Sequence, residues 1–248
     1  MAVDVGFSFV ISAGVARIDT IGVVFEVKII YIRISETGVA VDIAAEYAHS
    51  DSDWEVTGPV IDGKMSDVKS NMFLAQPAYG LTDDWEIYAL LGVTDTGWKD
   101  FDGGYEFAYG FGTKITFEKT ENTAWGLLFE IQWNKSNDSG TMDLADINGT
   151  SADYSVDVTY YDITIALGPT WKVAEGLRLY GGPFFYVLEG DIDVEGGGVN
   201  ASSNLSEKIM FGGYVGTELD ICPNSSWYGE FRFTGDMWTL GTGVSWKF

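Results

Sequence analysis

Trp125-Gly126-Leu127-Leu128-Phe129-Glu130-Ile131-Gln132-Trp133-Asn134 decides the fold. Its odd positions are all bulky and apolar and its even positions are mostly small or polar, the period of two that a β-strand imposes by alternating its side chains between two faces. The pattern continues on both sides. Tyr105, Phe107, Tyr109, Phe111, Ile115 and Phe117 alternate with Glu106, Ala108, Gly110, Gly112, Lys114 and Glu118. At the C-terminus Trp238, Leu240, Thr242, Val244, Trp246 and Phe248 alternate with Thr239, Gly241, Gly243, Ser245 and Lys247. No window has comparable helical spacing. The periodicity predicts about twelve strands, near residues 2–12, 21–35, 38–50, 70–81, 84–94, 104–118, 122–135, 155–172, 176–189, 207–221, 225–234 and 237–248, in one domain covering 1–248.

The connections alternate in length. Those near Glu36-Thr37, Thr82-Asp83, 119–121, 173–175 and Pro223-Asn224 are short, while those near 51–69, 95–103, 136–154 and 190–206 are long; two on the long side, near 13–20 and Gly235, are brief. Short and long ends therefore lie on opposite sides of the sheet. A sandwich would carry long charged side chains on its polar face, but here that face is dense in Gly, Ala, Ser and Thr with scattered acids, which suits a crowded lumen. The apolar face carries aromatics at strand ends, as at a lipid interface. Trp85, Trp125, Trp171, Trp227 and Trp246, five of nine tryptophans, cluster near the short turns or the C-terminus, where an indole keeps its ring apolar and its N–H wet. Pro77, Pro169 and Pro183 fall inside predicted strands and require bulges or interface positions. The registers of 21–35, 70–81 and 176–189 stay open, so ten or fourteen strands also fit.

Composition narrows the function. The chain has 14 Lys+Arg against 37 Asp+Glu, a formal charge of −23, and is repelled by phosphate backbones, which excludes nucleic acid as a partner. A hydrophobic content of 46% excludes acidic disorder, and no apolar run reaches the roughly 18 residues of a membrane helix. Cys222 and His49 are single, which leaves no internal disulfide, Cys-based zinc site or multi-histidine site. The first residues lack a basic n-region and an apolar h-region, so the chain reads as a mature form with an added start Met.

The sequence resembles the outer-membrane β-barrel proteins of Gram-negative bacteria. Terminal Phe248, with Trp246, Val244, Thr242 and Leu240 on its face, is similar to the C-terminal assembly signal of that class. The resemblance implies a bacterial outer-membrane location, periplasmic short turns, extracellular long loops, and the lipid bilayer and the barrel-assembly machinery as partners.

The polar face then becomes a lumen. It carries Asp42, Glu46, Glu86, Glu106 and Glu118 in the first half of the chain and Glu130, Asp162, Glu218 and Glu230 in the second. Against these stand Lys28, Lys114, Arg232 and Lys247, with Arg178 uncertain in register. A water-filled lining of this kind favours cations; the bland alternative is an internal salt-bridge network that plugs the barrel. Residues 50–70, 95–103, 135–153 and 189–207, the four long connections with their flanks, hold −13 of the formal charge. They form a solvated rim or bind divalent cations through carboxylate oxygens, with Asp191, Asp193 and Glu195 on one face of an extended segment; no other cofactor is expected. His49 is outward near the extracellular edge, a placement similar to that of outer-membrane phospholipases, but that family has Ser two residues on and here Asp51 follows. The expected function is a non-enzymatic, porin-like channel, narrow and cation-leaning, carrying small solutes or ions. The alternatives are a structural or surface-interaction barrel with a plugged lumen and acidic cation-binding loops, and a lipid-modifying enzyme. Oligomeric state is left open.

Overall fold

The computed structural model describes residues 41–59, 62–98, 101–143, 151–196 and 199–248. The strands expected at 2–12 and 21–35, and the start of that at 38–50, lie outside these residues. The described chain forms β1 (Val41–Thr57), β2 (Gly63–Thr82), β3 (Trp85–Trp98), β4 (Phe101–Asp102), β5 (Glu106–Lys119), β6 (Thr123–Asp143), β7 (Ser151–Ala174), β8 (Leu177–Gly196), β9 (Val199–Cys222), β10 (Ser225–Phe233) and β11 (Met237–Lys247). Ten of these close an antiparallel ring in the order β2-β1-β11-β10-β9-β8-β7-β6-β5-β3, with β2 pairing back onto β3; β4 is a two-residue strand on the end of β3. The last strand pairs directly with the first described one, Asp42 opposite Lys247. The ring thus counts ten strands among the described residues, the lower end of the expected range, because β1 has both edges occupied, by β2 and β11.

Tight turns at Asp83-Asp84, Glu175-Gly176 and Pro223-Asn224 gather at the end that holds Val41 and Phe248. Gly176 has φ +72°, a left-handed conformation that a side chain would disfavour. Above them the outer wall is apolar. Phe107, Phe111, Val215 and Leu240 are each more than half exposed, which only a hydrocarbon surround accommodates over so wide a band. Trp125 and Trp133 on β6, and Trp246 and Trp238 on β11, stand eight residues apart on the outward face. At ~3.3 Å per residue and ~40° of tilt, that separation spans about 20 Å, close to the ~25 Å apolar band of an outer-membrane barrel.

The prolines mark gaps in the ladder. Between β2 and β3 the pairs Ala75↔Leu91 and Ala78↔Tyr88 have none between them, at Pro77. Between β7 and β8 the ladder breaks from Ala166↔Phe184 to Thr170↔Tyr180, a stretch containing Pro169 and Pro183. Each proline keeps its pairing on the other edge, with Ile43, Trp125 and Gly213 respectively, as expected for a residue that lacks only its N–H.

The long connections are a correction. Most of 51–69, 136–154 and 190–206 is strand, not loop: β1 runs to Thr57, β6 to Asp143, β8 to Gly196, and β9 begins at Val199. In this upper storey the faces invert. Leu188 and Ile192 are buried while Glu189, Asp191, Asp193 and Glu195 between and beyond them are exposed, because outside the bilayer water lies around the wall and the apolar side turns inward. The β10–β11 hairpin ends below this storey, with Thr234 N–H donating to Met237 C=O. Over its tip β1 pairs directly with β9, Glu55↔Ser206 to Thr57↔Asn204.

Candidate functional site

Alternation along ten tilted strands brings most of the expected lumen acids into one chamber. Asp42, Glu46, Glu86, Glu130, Glu218 and Glu230 line a cavity of about 410 Å³ together with Lys114 and Arg232. Glu46, Glu130, Glu230 and Arg232 continue into a smaller space of about 110 Å³, where Asp162 joins them. Arg232 is the single base in this upper group. Its Nε donates to Glu230 Oε1, and Glu130 and Glu46 also lie within its electrostatic reach. Asp162, 8% exposed, accepts from Asn134 Nδ2 at 3.0 Å, and Asn134 Oδ1 accepts from Gln132 Nε2 at 2.6 Å. At the lower rim Lys114 lies 3.6 Å from Glu86, and Arg178 points inward to bind Glu218 at 2.9 Å and Asp220 alongside it. Glu106 keeps the inward register, opposite buried Thr94, but stands higher than the two cavities, accepting from Asn137 Nδ2 at 2.6 Å. Glu118 follows a register shift and is exposed at the rim that carries the short turns. Lys28 lies outside the described residues.

The sequence reading misses the inward tyrosines. Tyr88 OH donates to Glu130 Oε2 at 2.8 Å and Tyr228 OH to Glu46 Oε2 at 3.0 Å. Four inward tyrosines sit directly across the ladder from a glycine: Tyr88↔Gly112, Tyr180↔Gly216, Tyr228↔Gly243 and Tyr214↔Gly182. A Cβ added at Gly112, Gly216 or Gly243 would lie 2.5 Å or less from the facing ring. The glycines of the lumen face therefore make seats for rings, the pairing that rescues Gly in a sheet. The detectable signal is the Tyr on the small-residue register of its own strand.

Above the chamber the interior is packed with apolar side chains. Trp54, Val56, Val68, Phe101, Val158 and Tyr160 join Leu188, Ile192 and Leu205 in one cluster, each no more than 5% exposed. These come from β1, β2, β4, β7, β8 and β9, so they meet across the bore; Trp54 packs edge-on to Tyr160 at 5.2 Å. Just below, Thr96 Oγ1 and the Tyr160 hydroxyl lie 3.2 Å apart, and Ser70 and Thr94 hydroxyls 3.0 Å apart, a hydrogen-bonded polar layer between this cluster and the chamber.

On the outside, Trp85, Trp125, Trp171 and Trp227 are 37–47% exposed near the short turns, with Trp246 partly buried at the same end and Phe248 exposed beyond it. Asp191, Asp193 and Glu195 share the outer face of β8, with Asp157 of β7 opposite Asp193. They step along the strand two residues apart, and among the described residues no three His, Cys, Asp or Glu side chains converge as a metal site. At the rim Lys64 lies 2.8 Å from Asp53 and 3.3 Å from Asp236, and the hydrogen bond from Lys64 holds the Asp53 carboxyl below the usual range. His49 Nδ1 is 2.9 Å from Asn71 Oδ1, and its ring meets Trp238 edge-on at 5.4 Å. Asn71 Nδ2 in turn donates to Asp95 Oδ1 at 3.0 Å, so His49 belongs to an interfacial hydrogen-bond chain. Ser50 and Ser52 occupy the opposite, inward register, leaving Asp51 as its neighbour on the outer face.

No protein-family model and no curated protein matches the sequence. Solved structures share its backbone plan at low identity. The outer-membrane protease OmpT from Escherichia coli is 12% identical, covering 85% of this chain and 96% of that one with a TM-score of 0.48. The translocator domain of the autotransporter NalP from Neisseria meningitidis is 14% identical, covering 86% and 90% with a TM-score of 0.45. An outer-membrane channel from Pseudomonas putida F1 is 9% identical, covering 87% and 97% with a TM-score of 0.43. The closed ring and its lipid-facing belt, not these likenesses, make this chain a membrane-spanning β-barrel of the outer-membrane type.

Proposed function

We propose that the protein is a sealed, non-catalytic outer-membrane barrel whose upper storey meets partners at the cell surface. The observation that carries this reading is the apolar cluster from Trp54 to Leu205, which fills the bore above the chamber. Dispersion and burial favour that packing over a hydrated pore: each fully buried aliphatic side chain contributes roughly 1.5–3 kcal/mol. The outer wall above the belt, carrying Glu189, Asp191, Asp193 and Glu195 on β8, is the surface offered to basic or cation-bridged partners. Reconstituted into planar bilayers, the barrel is expected to be electrically silent. Discrete conductance steps in proportion to incorporated protein would overturn the sealed reading.

A second reading is the narrow, cation-leaning channel. The acid excess of the lower chamber favours it, and it requires the upper cluster to move aside. In that case the reversal potential in a salt gradient shows cation preference, and neutralising Glu130 together with Glu218 lowers it.

Trp246 and Phe248 are assigned the assembly role that their resemblance implies. The Phe248 N–H is held by the Val41 carbonyl at 3.0 Å and the ring is 55% exposed, so the side chain adds little packing. Deleting Phe248 is expected to slow outer-membrane assembly in cells while refolding into detergent proceeds; equal loss in both assays would assign it to packing instead.

A further inference from the structure

Above the belt the wall is an open sheet. β2, β1, β9, β8, β7 and β6 continue upward side by side, with β1 joined to β9 over the hairpin, while β3 stops at Trp98 and β5 starts at Glu106. Two strand edges therefore face the gap above β3 and β5. One is β2 from Gly63 to Val68, beyond its last pairing with β3 at Lys69↔Gly97; the other is β6 from Asp138 to Asp143. Among the described residues no strand pairs with either edge.

The two edges are built differently. β2 is blunted: its ladder with β1 slips between Ser52 and Trp54, Asp67 within that slip has φ +58°, and Lys64 places an ammonium at the rim. Bulges and lysines are the devices by which exposed edges avoid pairing. β6 has none of them along 138–143. Its ladder with β7 runs from Thr123↔Trp171 to Asp143↔Ser151 without a slip, and Asp138-Ser139-Gly140-Thr141-Met142-Asp143 contains no proline and no base.

The direction of the backbone along β6 is fixed at two points. Asn122 C=O accepts from Lys172 N–H on the β7 side, and Asn137 C=O accepts from Gly104 N–H on the other. A residue in an antiparallel strand turns its N–H and C=O to the same neighbour, and successive residues alternate, so even positions serve β7 and odd positions the free edge. Ser139, Thr141 and Asp143 thus offer an N–H and a C=O each to a strand that is not there, and Ser139 is exposed. β3 and β5 separate β2 from β6 in the ring, so the gap is about 14 Å wide at ~4.8 Å per strand spacing. One added strand fits.

We propose that the β6 edge takes up an extended, basic segment of a partner protein as an added strand. Main-chain rungs at Ser139, Thr141 and Asp143 supply affinity, as in strand addition generally. The wall beside them sets the sign of the partner. Asp157 on β7 lies opposite Asp193 on β8, with Glu195 next along the same outer face, and Lys135 answers only Asp157, at 3.5 Å. A strand bearing lysine or arginine is attracted there, and a second copy of this edge, with the same acids beside it, is repelled. The proposal rests on the surface-partner reading above and gives it a mode of contact.

The test combines amide exchange with peptide binding on the detergent-solubilised barrel. In the free protein the amides of Asp138 and Gly140, which serve β7, should exchange slowly and those of Ser139 and Thr141 fast. A peptide of alternating lysine and threonine should bind, seen by fluorescence anisotropy, and slow the Ser139 and Thr141 amides severalfold, while one of alternating glutamate and threonine should do neither. Thr141→Pro removes an edge N–H that β7 does not use, so it should weaken binding severalfold and leave the unfolding midpoint of the barrel as it was. The wild-type exchange pattern decides the matter even if that variant does not fold. Slow exchange at Ser139 and Thr141 in the free barrel, or a bound basic peptide that leaves them fast, would overturn the proposal. In the latter case, binding lost in Asp193→Asn but kept in Thr141→Pro assigns the acidic wall alone and keeps the surface-partner reading; no binding at all counts against both.

Discussion

Replacing Arg232 with Met is expected to destabilise the barrel by about 3 kcal/mol, read as a lowered midpoint of urea unfolding followed by Trp fluorescence in detergent. Arg232 is the single base facing Glu46, Glu130 and Glu230 in the upper part of the chamber, and its side chain is 28% exposed. Breaking a buried ion pair by removing one partner costs roughly 3–5 kcal/mol, since the other charge is left unmatched in a poor solvent. Partial access to water places this site at the low end. The reverse substitution, Glu230→Gln, leaves fewer unmatched carboxylates and should cost less. A change within about 0.5 kcal/mol for Arg232→Met, the size of an ordinary surface substitution, would mean that the acids are hydrated and the guanidinium is dispensable.

Phe129→Arg should cost roughly 2–4 kcal/mol, the penalty for a base at the middle of the lipid face. Phe129 is four residues from both Trp125 and Trp133, and its ladder partner is Ile165. Ile163→Arg lies two residues from Tyr161, nearer the outer interface, so the same change there should cost less. Ser245→Asn, on the lumen register, should carry no lipid penalty. Gly110 is unsuitable as a lumen control: a Cβ there would stand 2.4 Å from the Ile131 carbonyl oxygen. Equal effects at Phe129 and Ser245 would show that the outward face is not lipid-exposed.

The belt storey of the fold is legible in the sequence because lipid demands a bulky apolar residue at every second position, and Trp125 to Trp133 supplies one each time. The upper storey obeys the same period with its faces exchanged. Ile192 and Val194 alternate with Asp191, Asp193 and Glu195 as regularly as any belt strand, but a search for an apolar outer wall assigns 190–206 to a loop. The chamber is legible in its acids, since Glu46, Glu130 and Glu230 follow from parity alone. Its closure is not. Which residues meet across a bore depends on tilt and stagger, and nothing in the spacing of Trp54 and Tyr160 announces their contact. The seats under Tyr88 and Tyr228 likewise depend on register between strands, which a single strand does not encode.

The short β10–β11 hairpin has a kinetic consequence. Because β1 meets β9 above its tip, the upper wall closes without the last two strands, through contacts between residues 55–57 and 204–206. That closure carries the large entropic cost of joining segments far apart in the chain. Once it is made, β1 and β9 diverge downward as the two sides of a wedge, and the hairpin can zip into it from tip to base, adding each rung beside one already formed. The geometry allows the C-terminal strand to be laid last, as a keystone, with the distant pairing at the top made first and the hairpin following in small local steps.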